Sequence, residues 1–545
     1  MHVSDFLVER IENTGIKHIF GVPGDYVLGL YSKFCNSESL EVIGATDENH
    51  AGFAADAYAR VAGVGCVMVT YNVGALKIAN AVACAYSERS PLIVISGSPG
   101  LNEREEGMLL HHMVGPFESQ KEVFERWTCD QAVLENPATA GYEIDRVIES
   151  MHTYKRPVYI ELPRDVAKMS LTYDVYKQGT PQAKSSDPAS LQEALEEVVG
   201  LITESRNPVI MAGVELSRFN LGRELMKFAE HANIPIVTTL LSKSVINERN
   251  PLFGGVYSGT ASHDNTRKLV EESDCLIMLG VMLTDMTLAF KPVAFSKKQT
   301  INATIDGLDV KTHSYGNVRF DEFCKALLDI RLTHGSSIGK FKQSETIQDA
   351  SFTPKEDTDI TTARFFHKIN SMLTKDMAVC ADIGDSIFGA SDLTVHHANH
   401  FLGNAFYTSM GFSIPAALGV QTALPNTRPI VLVGDGAFQM SVSEISTIID
   451  RGLNPIIFVL NNGGYTTERF LLDGPFNDIR NWEYHKVGEL FGGCTGFKIT
   501  TEAELESAVA TALDLNEPAV LNVIVQSKDV SVALQRLTAG LSERV

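Results

Sequence analysis

Positive charge is what this chain is short of. Its 46 Lys and Arg stand against 67 Asp and Glu, a formal net charge of −21. A nucleic-acid surface needs a basic patch, so no nucleic-acid partner is expected. Long apolar runs are missing too. None reaches the ~18 residues that span a bilayer, so no membrane partner is expected either. The N-terminus, Met1-His-Val-Ser-Asp-Phe-Leu-Val-Glu-Arg, carries acids early and lacks a basic start and a long apolar core, so it does not read as a signal peptide. The eight cysteines form no Cys-x-x-Cys pair. In a chain this long they read as reduced, mostly buried thiols of a cytoplasmic protein. What is present is a globular composition, 44% hydrophobic and 21% charged. At 545 residues the chain is too long for one core, and two to four domains are expected.

The chain is organised around Val431 to Glu468. Ile430-Val-Leu-Val433 reads as a strand, and Gly434-Asp435-Gly436 as a sharp turn after it. Ser441-Val-Ser-Glu444 has the spacing of a capping box, opening a helix through Ile445, Ile448 and Ile449 that Gly452 ends. A second apolar run, Ile456 to Leu460, delivers Asn461-Asn-Gly-Gly464. This is a strand–helix–strand crossover with polar groups at the carboxyl ends of both strands, where parallel α/β sheets bind ligands. The arrangement suits a divalent metal carrying a diphosphate. Glycines let backbone N–H groups approach phosphate oxygens. Asp435 supplies an anionic oxygen, Asn462 a neutral one and the Gly464 carbonyl a third; phosphates and water complete the about six that Mg²⁺ takes. A lone Gly-Asp-Gly is also an ordinary turn. Followed by 24 residues (437 to 460) and then Asn-Asn, on this frame, it is specific.

Helix and strand signals alternate along the rest. A helix is expected near Val3 to Asn13, strands at His18 to Gly21, Cys66 to Thr70, Leu92 to Ser96 and Val158 to Leu162, and a small-residue helix at His50 to Arg60. The polar stretch Gln178 to Ala189 reads as a linker, and 335 to 359 as a second connection. The expected fold class is therefore α/β, with three doubly wound parallel-sheet domains at 1–180, 190–340 and 355–545.

The metal loop matches the signature of enzymes dependent on thiamine diphosphate. The rest of the chain resembles the non-oxidative 2-oxo-acid decarboxylases, a family acting on pyruvate, indolepyruvate, phenylpyruvate and branched-chain acids. The matching segments are Gly21-Val-Pro-Gly-Asp25, Glu48-Asn-His-Ala-Gly-Phe53, Thr70-Tyr-Asn-Val-Gly-Ala75 and Leu109-Leu-His-His-Met113. Later in the chain they are Gly384-Asp-Ser386, Met410-Gly-Phe-Ser-Ile-Pro415 and Tyr465-Thr-Thr-Glu468. The resemblance covers essentially the whole chain and is weakest in the middle.

It implies decarboxylation of a 2-oxo acid to an aldehyde and CO₂ through a thiamine diphosphate ylide, with Mg²⁺ as the metal. Glu48 would bond the pyrimidine ring and favour the imino tautomer that generates the ylide; the cofactor then acts as an electron sink. That bond needs a protonated Glu, which burial would favour. Asp25, His111, His112 and Glu468 would handle protons after CO₂ leaves, and groups titrating near neutrality do this best. Met410 would be the apolar wedge under the thiazolium ring. The Thr408 backbone carbonyl, at a place often held by Gly, would accept from the cofactor's amino group. Gly384, Asp385 and Ser386 would touch the diphosphate, beside Gly434, Asp435, Gly436, Ala437, Asn462 and Gly464.

Pyruvate-specific relatives narrow their pocket with large aromatics. Here Ile387 and Leu537 stand where those enzymes tend to carry Trp, Met286 where they have Tyr, and Thr467 where Ile or Val is common. Phe388 and Leu471 could also line the pocket. The lost bulk favours phenylpyruvate or indolepyruvate, with pyruvate as the alternative. Gly254-Gly255 and Gly259 occur in the middle block without a clear dinucleotide fingerprint, so no nucleotide is expected there. The resemblance implies a homodimer or homotetramer, with Glu48 of one subunit and the Gly434 loop of another closing one site. A carboligase, or a non-catalytic assembly protein on this fold, are the other readings; the adjacent histidines and Glu468 argue against the first, and the intact Glu48 and metal ligands against the second.

Overall fold

The computed structural model describes residues 1–171, 185–332 and 351–539. Most of the linker read at 178–189, the first part of the connection at 335–359 and the domain limits at 180, 340 and 545 lie outside the described residues. Asp187-Pro188-Ala189, read as linker, instead starts the helix Pro188–Glu204: Asp187 accepts the N–H of Ser190 and Pro188 fills the first turn, where a missing N–H costs nothing.

Three sheets carry the strands. In the first, six strands run in the order Glu41–Gly44, His18–Gly21, Gly65–Val69, Leu92–Ser98, Val158–Pro163, Gln131–Val133, all parallel. The third has the same order in its own six: Phe401–Leu402, Met377–Ala381, Arg428–Gly434, Ile456–Asn461, Ala519–Ile524, Thr495–Ile499, again all parallel. Strands buried on both faces read as unbroken apolar runs, which is why Ile430 to Val433 and Ile456 to Leu460 were legible. The middle sheet has seven strands. Five are parallel, and an antiparallel hairpin edge, Gly307–Val310 and His313–Tyr315, was not foreseen.

The described residues group into two compact units. One holds everything before 185 with Ile414–Thr427 and Ser441–Leu453; the other holds the middle sheet, the third sheet and the C-terminal helix. In the first unit, Gly419 lets its helix approach closely: a Cβ there would lie 2.1 Å from the Ala54 carbonyl. Here too the capping-box expectation fails. Ser441 ends the helix Asp435–Ser441, and the helix Glu444–Asp450 starts after Ser443 without a side-chain cap. Glu444 is fully buried, so its acceptors serve distant partners rather than its own helix start. It takes the Thr46 N–H at 3.2 Å and hydroxyl at 2.6 Å, with His50 Nδ1 at 3.1 Å.

In the second unit a buried ion pair anchors the chain just beyond the helix Asp385–Ala390. Lys243 donates to both Glu248 oxygens at 3.0 and 2.8 Å and to the Leu393 carbonyl at 2.6 Å, while Glu248 also accepts the Val395 N–H at 2.8 Å. The two side chains are 1% and 0% exposed. Removing one partner strands the other charge. Glu248→Ala should therefore cost about 3–5 kcal/mol and lower the melting temperature of the full chain by several degrees; an unchanged melting curve would reject the role.

Candidate active site

The third sheet places its chemistry at the carboxyl ends of Met377–Ala381 and Arg428–Gly434, where the strand order reverses. Asp435 directly follows the second of these strands and is 1% exposed. Its carboxylate accepts the N–H groups of Gly436 at 2.8 Å, Gly463 at 2.7 Å and Gly464 at 3.1 Å. Two consecutive N–H groups can aim at one oxygen here because Gly463 and Gly464 have φ of +75° and +145°. At Gly464 a Cβ would also lie 2.0 Å from the Asn477 carbonyl. Arg469 holds the same loop from outside, donating to the Gly463 carbonyl at 3.0 Å and to Asp478 at 2.7 Å. Beside this carboxylate, Asn462 is 8% exposed and its Oδ1 has no hydrogen-bond partner. The Gly464 carbonyl accepts the Thr466 N–H at 3.0 Å, which leaves it a second lone pair.

These groups line a cavity of about 610 Å³. It gathers every residue expected to hold the cofactor or metal: Gly384, Asp385, Ser386, Thr408, Met410, Gly434, Asp435, Gly436, Ala437, Asn462 and Gly464. Glu468 joins them, as do Met286, Phe388, Thr467, Leu471 and Leu537. Ile387 does not line it. It is fully buried in the core, and a Cβ on Gly403 would lie 2.6 Å from its Cδ1. Phe290, Ile383, Leu460, Tyr465 and Thr466 complete the wall; Tyr465 and Thr466 fall in the Tyr465-Thr-Thr-Glu468 segment and Leu460 ends the second apolar run, whereas Phe290 and Ile383 lie outside every motif.

Two further carboxylates fix the walls. Asp382, fully buried, accepts the N–H groups of Gly411 at 3.0 Å and Ser413 at 2.9 Å, and so pins the turn that follows Met410. Asp385 accepts the Ser531 N–H at 2.8 Å and the Ser531 hydroxyl, so its side chain is already engaged and only its backbone is left for a phosphate. Burial pushes Asp382, Asp385 and Asp435 each up to about 6.

In the first unit the remaining expected residues also stand at strand ends. Glu48 opens the helix Glu48–Ala62, after Asp47 as its cap. Its Oε2 lies 2.8 Å from Lys77 Nζ, which also reaches Asp47 at 2.5 Å, a cation partner the sequence did not disclose. Asp25 follows the strand His18–Gly21 and lies 2.7 Å from His111 Nε2 and 3.9 Å from His112 Nε2. The structure thus brings Asp25, His111 and His112 together.

Three family descriptions match the chain in succession: "Thiamine pyrophosphate enzyme, N-terminal TPP binding domain" over residues 1–123, the central domain over 195–330, and the C-terminal TPP binding domain over 382–523. An alpha-keto-acid decarboxylase of Mycolicibacterium paratuberculosis is 33% identical, covering 96% of this chain and 93% of the relative. An indole-3-pyruvate decarboxylase of Azospirillum brasilense is 32% identical over 94% and 93%, and pyruvate decarboxylase 1 of Pisum sativum 31% over 93% and 87%. The chain belongs to the thiamine-diphosphate-dependent 2-oxo-acid decarboxylases.

The cavity fits that cofactor only with a cation. Among the described residues its lining holds Asp385, Asp435 and Glu468 and no basic side chain, so a bare diphosphate would meet like charge. Asp435 and the unpartnered Asn462 Oδ1 are hard oxygens of the kind Mg²⁺ takes, with the Gly464 carbonyl beside them. When bound, thiamine diphosphate supplies the nucleophilic carbon and the electron sink; the residues lining this cavity would hold its diphosphate end and shape the space beside it.

Thr408 has φ of +60°, a backbone conformation that Gly adopts without a Cβ penalty. The left-handed conformation costs an L-residue about 1–2 kcal/mol, whereas Gly adds only about 0.5–1 kcal/mol of chain entropy. Thr408→Gly should raise the melting temperature; a lower one would contradict the strain. The Asp435 carboxyl supplies a pH test. Its folded pKa lies above the unfolded value, so without metal it stabilises below pH 3.8 and that contribution is lost as pH rises through about 6. A metal needs the anion. The thermal stabilisation by Mg²⁺ with thiamine diphosphate should be full at pH 7 and shrink below about 6; equal stabilisation at pH 5 and pH 7 would remove Asp435 from the metal site.

Proposed function

We propose that this decarboxylase prefers a bulky 2-oxo acid of the phenylpyruvate or indolepyruvate type over pyruvate. The observation that carries this is the apolar end of the cavity. Met286, Phe290, Phe388, Leu471 and Leu537 line the same space as Asp435 and Asn462, with Thr467 and Glu468 as the polar groups among them. Burying an aromatic side chain there is worth about 1.5–3 kcal/mol. Relatives of similar identity are named for indole-3-pyruvate, for alpha-keto acids and for pyruvate, so the cavity lining and not the names carries this reading.

Each residue has a role in the proposal. Glu48 holds the proton shared with the cofactor's pyrimidine nitrogen. Asp25, His111 and His112 move protons at the carbon that loses CO₂ and at the product hydroxyl, and Glu468 lies near the substrate carboxylate. The working form is a homodimer or homotetramer in which Glu48 of one subunit completes the Gly434 cavity of another. The exposed Val73 and Leu76, next to Glu48's ion-pair partner Lys77, suit such a contact. All eight cysteines are unpaired, in keeping with a reducing, cytoplasmic location.

Aldehyde release measured with added Mg²⁺ and thiamine diphosphate tests the substrate. Phenylpyruvate or indolepyruvate should exceed pyruvate in kcat/KM by about tenfold or more, and Leu471→Trp should lower the aromatic rates more than the pyruvate rate. Pyruvate preferred by the wild type would reject the reading. Glu48→Gln should nearly abolish turnover while cofactor still binds. Mixing Glu48→Gln with Asp435→Ala subunits should restore activity above either alone; no recovery would reject the shared site.

A further inference from the structure

We propose that Asp25, His111 and His112 form a second metal site, for Zn²⁺ or a similar transition ion, whose occupation shuts down the decarboxylase. The metal binding stands on geometry alone; the shutdown rests on the proton-handling role proposed above for these side chains.

The donor atoms already converge. His111 Nε2 is 2.7 Å from Asp25 Oδ2, His112 Nε2 is 3.9 Å from Asp25 Oδ1, and one donor atom from each residue lies within 4.8 Å of the others. Ligands of a tetrahedral zinc, with bonds of about 2.0–2.1 Å, stand about 3.3 Å apart. The observed separations straddle that figure, so small side-chain rotations suffice.

The site is also built in advance. His112 has φ of +67°, a conformation that costs a non-glycine residue energy and must be held. The holder is Asn72, 2% exposed, whose Nδ2 donates to the His112 carbonyl at 2.7 Å. Gln120 fixes Asn72 in turn through its backbone N–H. On the other side Tyr26 stacks on the His111 ring at 4.6 Å and 16°. Its hydroxyl donates to the His111 carbonyl at 3.4 Å and lies 3.2 Å from Nδ1. With the hydroxyl hydrogen on the carbonyl, an oxygen lone pair faces Nδ1 and favours the tautomer that carries its hydrogen there; with the hydroxyl turned to Nδ1, Nε2–H donates to Asp25. In the first tautomer Nε2 and the carboxylate both offer lone pairs to a metal ion between them. A histidine whose second nitrogen is held in this way is the usual metal ligand.

Donor chemistry sets the ion. Two imidazoles and one carboxylate suit Zn²⁺, Co²⁺ or Ni²⁺, whereas Asp435, Asn462 and a carbonyl suit Mg²⁺. In the single chain the Asp25, His111 and His112 side chains are 42%, 57% and 32% exposed. One charge opposes binding, since Arg164 Nη1 lies 3.9 Å from Asp25. Glu103 offsets it, accepting from Arg164 Nε at 2.8 Å.

The test uses the full chain, loaded with thiamine diphosphate and excess Mg²⁺. Co²⁺ is titrated and followed by its visible absorption, and Zn²⁺ by calorimetry. One ion per chain should bind, at least tenfold more weakly in His111→Ala, His112→Ala and Asp25→Asn, each checked for folding by circular dichroism. His313→Ala, which removes an exposed histidine beside Glu197, should bind as wild type does. No binding by wild type, or equal binding by the three variants, would overturn the site. Aldehyde release should fall as the site fills and return on chelation with Mg²⁺ restored. Filling without inhibition would uphold the metal site and overturn the shutdown, taking these histidines out of the proposed chemistry.

Discussion

The Asp435 carboxylate is a negative charge taken almost wholly out of water, and the cavity around it is arranged to make that tolerable. Three backbone N–H groups point at it, two from glycines with positive φ, which other residues adopt only at a cost. Arg469 holds those glycines' loop in place without touching the carboxylate. Even so the compensation is partial, since burial still pushes the carboxyl up to about 6. A cation would supply what is missing. The same cation is what a diphosphate needs in a cavity lined by Asp385 and Glu468. One ion at Asp435 would therefore offset both charges, and metal and cofactor would each be held better with the other bound.

What the sequence disclosed and what it hid divide along a physical line. Backbone requirements are local, so they leave local marks. Gly434-Asp435-Gly436 and Asn462 to Gly464 could be read because a strand end, a tight turn and a close approach each demand particular residues at adjacent positions. Charge partners are not local. Nothing near Glu48 announces Lys77, nothing near Asp385 announces Ser531, and Asp382 carries no motif at all. Ser441 and Glu444 show the opposite failure: the spacing of a cap is also the spacing of two buried polar residues, and only the fold tells them apart. Ile387 is placed by tertiary packing that no local pattern announces: it is fully buried, with its Cδ1 against Gly403, while Ser386 and Phe388 line the cavity. The hairpin edge of the middle sheet escaped because its strands are three and four residues long and mostly surface.

The first and third sheets share one strand order, and their functional groups fall at matching places. In the first, Asp25 and Asn72 follow the strands His18–Gly21 and Gly65–Val69; in the third, Asp385 and Asp435 follow Met377–Ala381 and Arg428–Gly434. Connections leave in opposite directions at such a point and open a crevice between strand ends. The middle sheet has a reversal too, between Pro208–Ala212 and Cys275–Leu279, but backbone fills it. A Cβ on Gly213 would lie 1.9 Å from the Gly280 carbonyl. A crevice is therefore an opportunity set by topology, and the residues that follow the strands decide whether it becomes a site.

The cavity wall argues for coupling between cofactor and substrate. Asp385 opens the helix Asp385–Ala390 at the cavity, and its carboxylate is bonded to Ser531. Ser531 is in turn the cap of the helix Val532–Thr538, accepting the Leu534 N–H at 3.1 Å. That helix carries Leu537 into the apolar end of the cavity, and Arg536 fastens it to Asp392 at 2.6 Å and to the Ala261 carbonyl at 2.9 Å. The apolar wall proposed to select the side chain of the acid is thus hydrogen-bonded to the residues that would hold the phosphates. Burial pushes the Asp385 carboxyl up to about 6, and the two hydrogen bonds from Ser531 favour its anion. Bulk added at Leu537 would press on the helix cap before it pressed on a substrate, whereas Leu471 and Thr467 lie on the short helix Thr466–Leu471, outside that chain of bonds. Selectivity is therefore more freely altered from the Glu468 side of the cavity than from its C-terminal side.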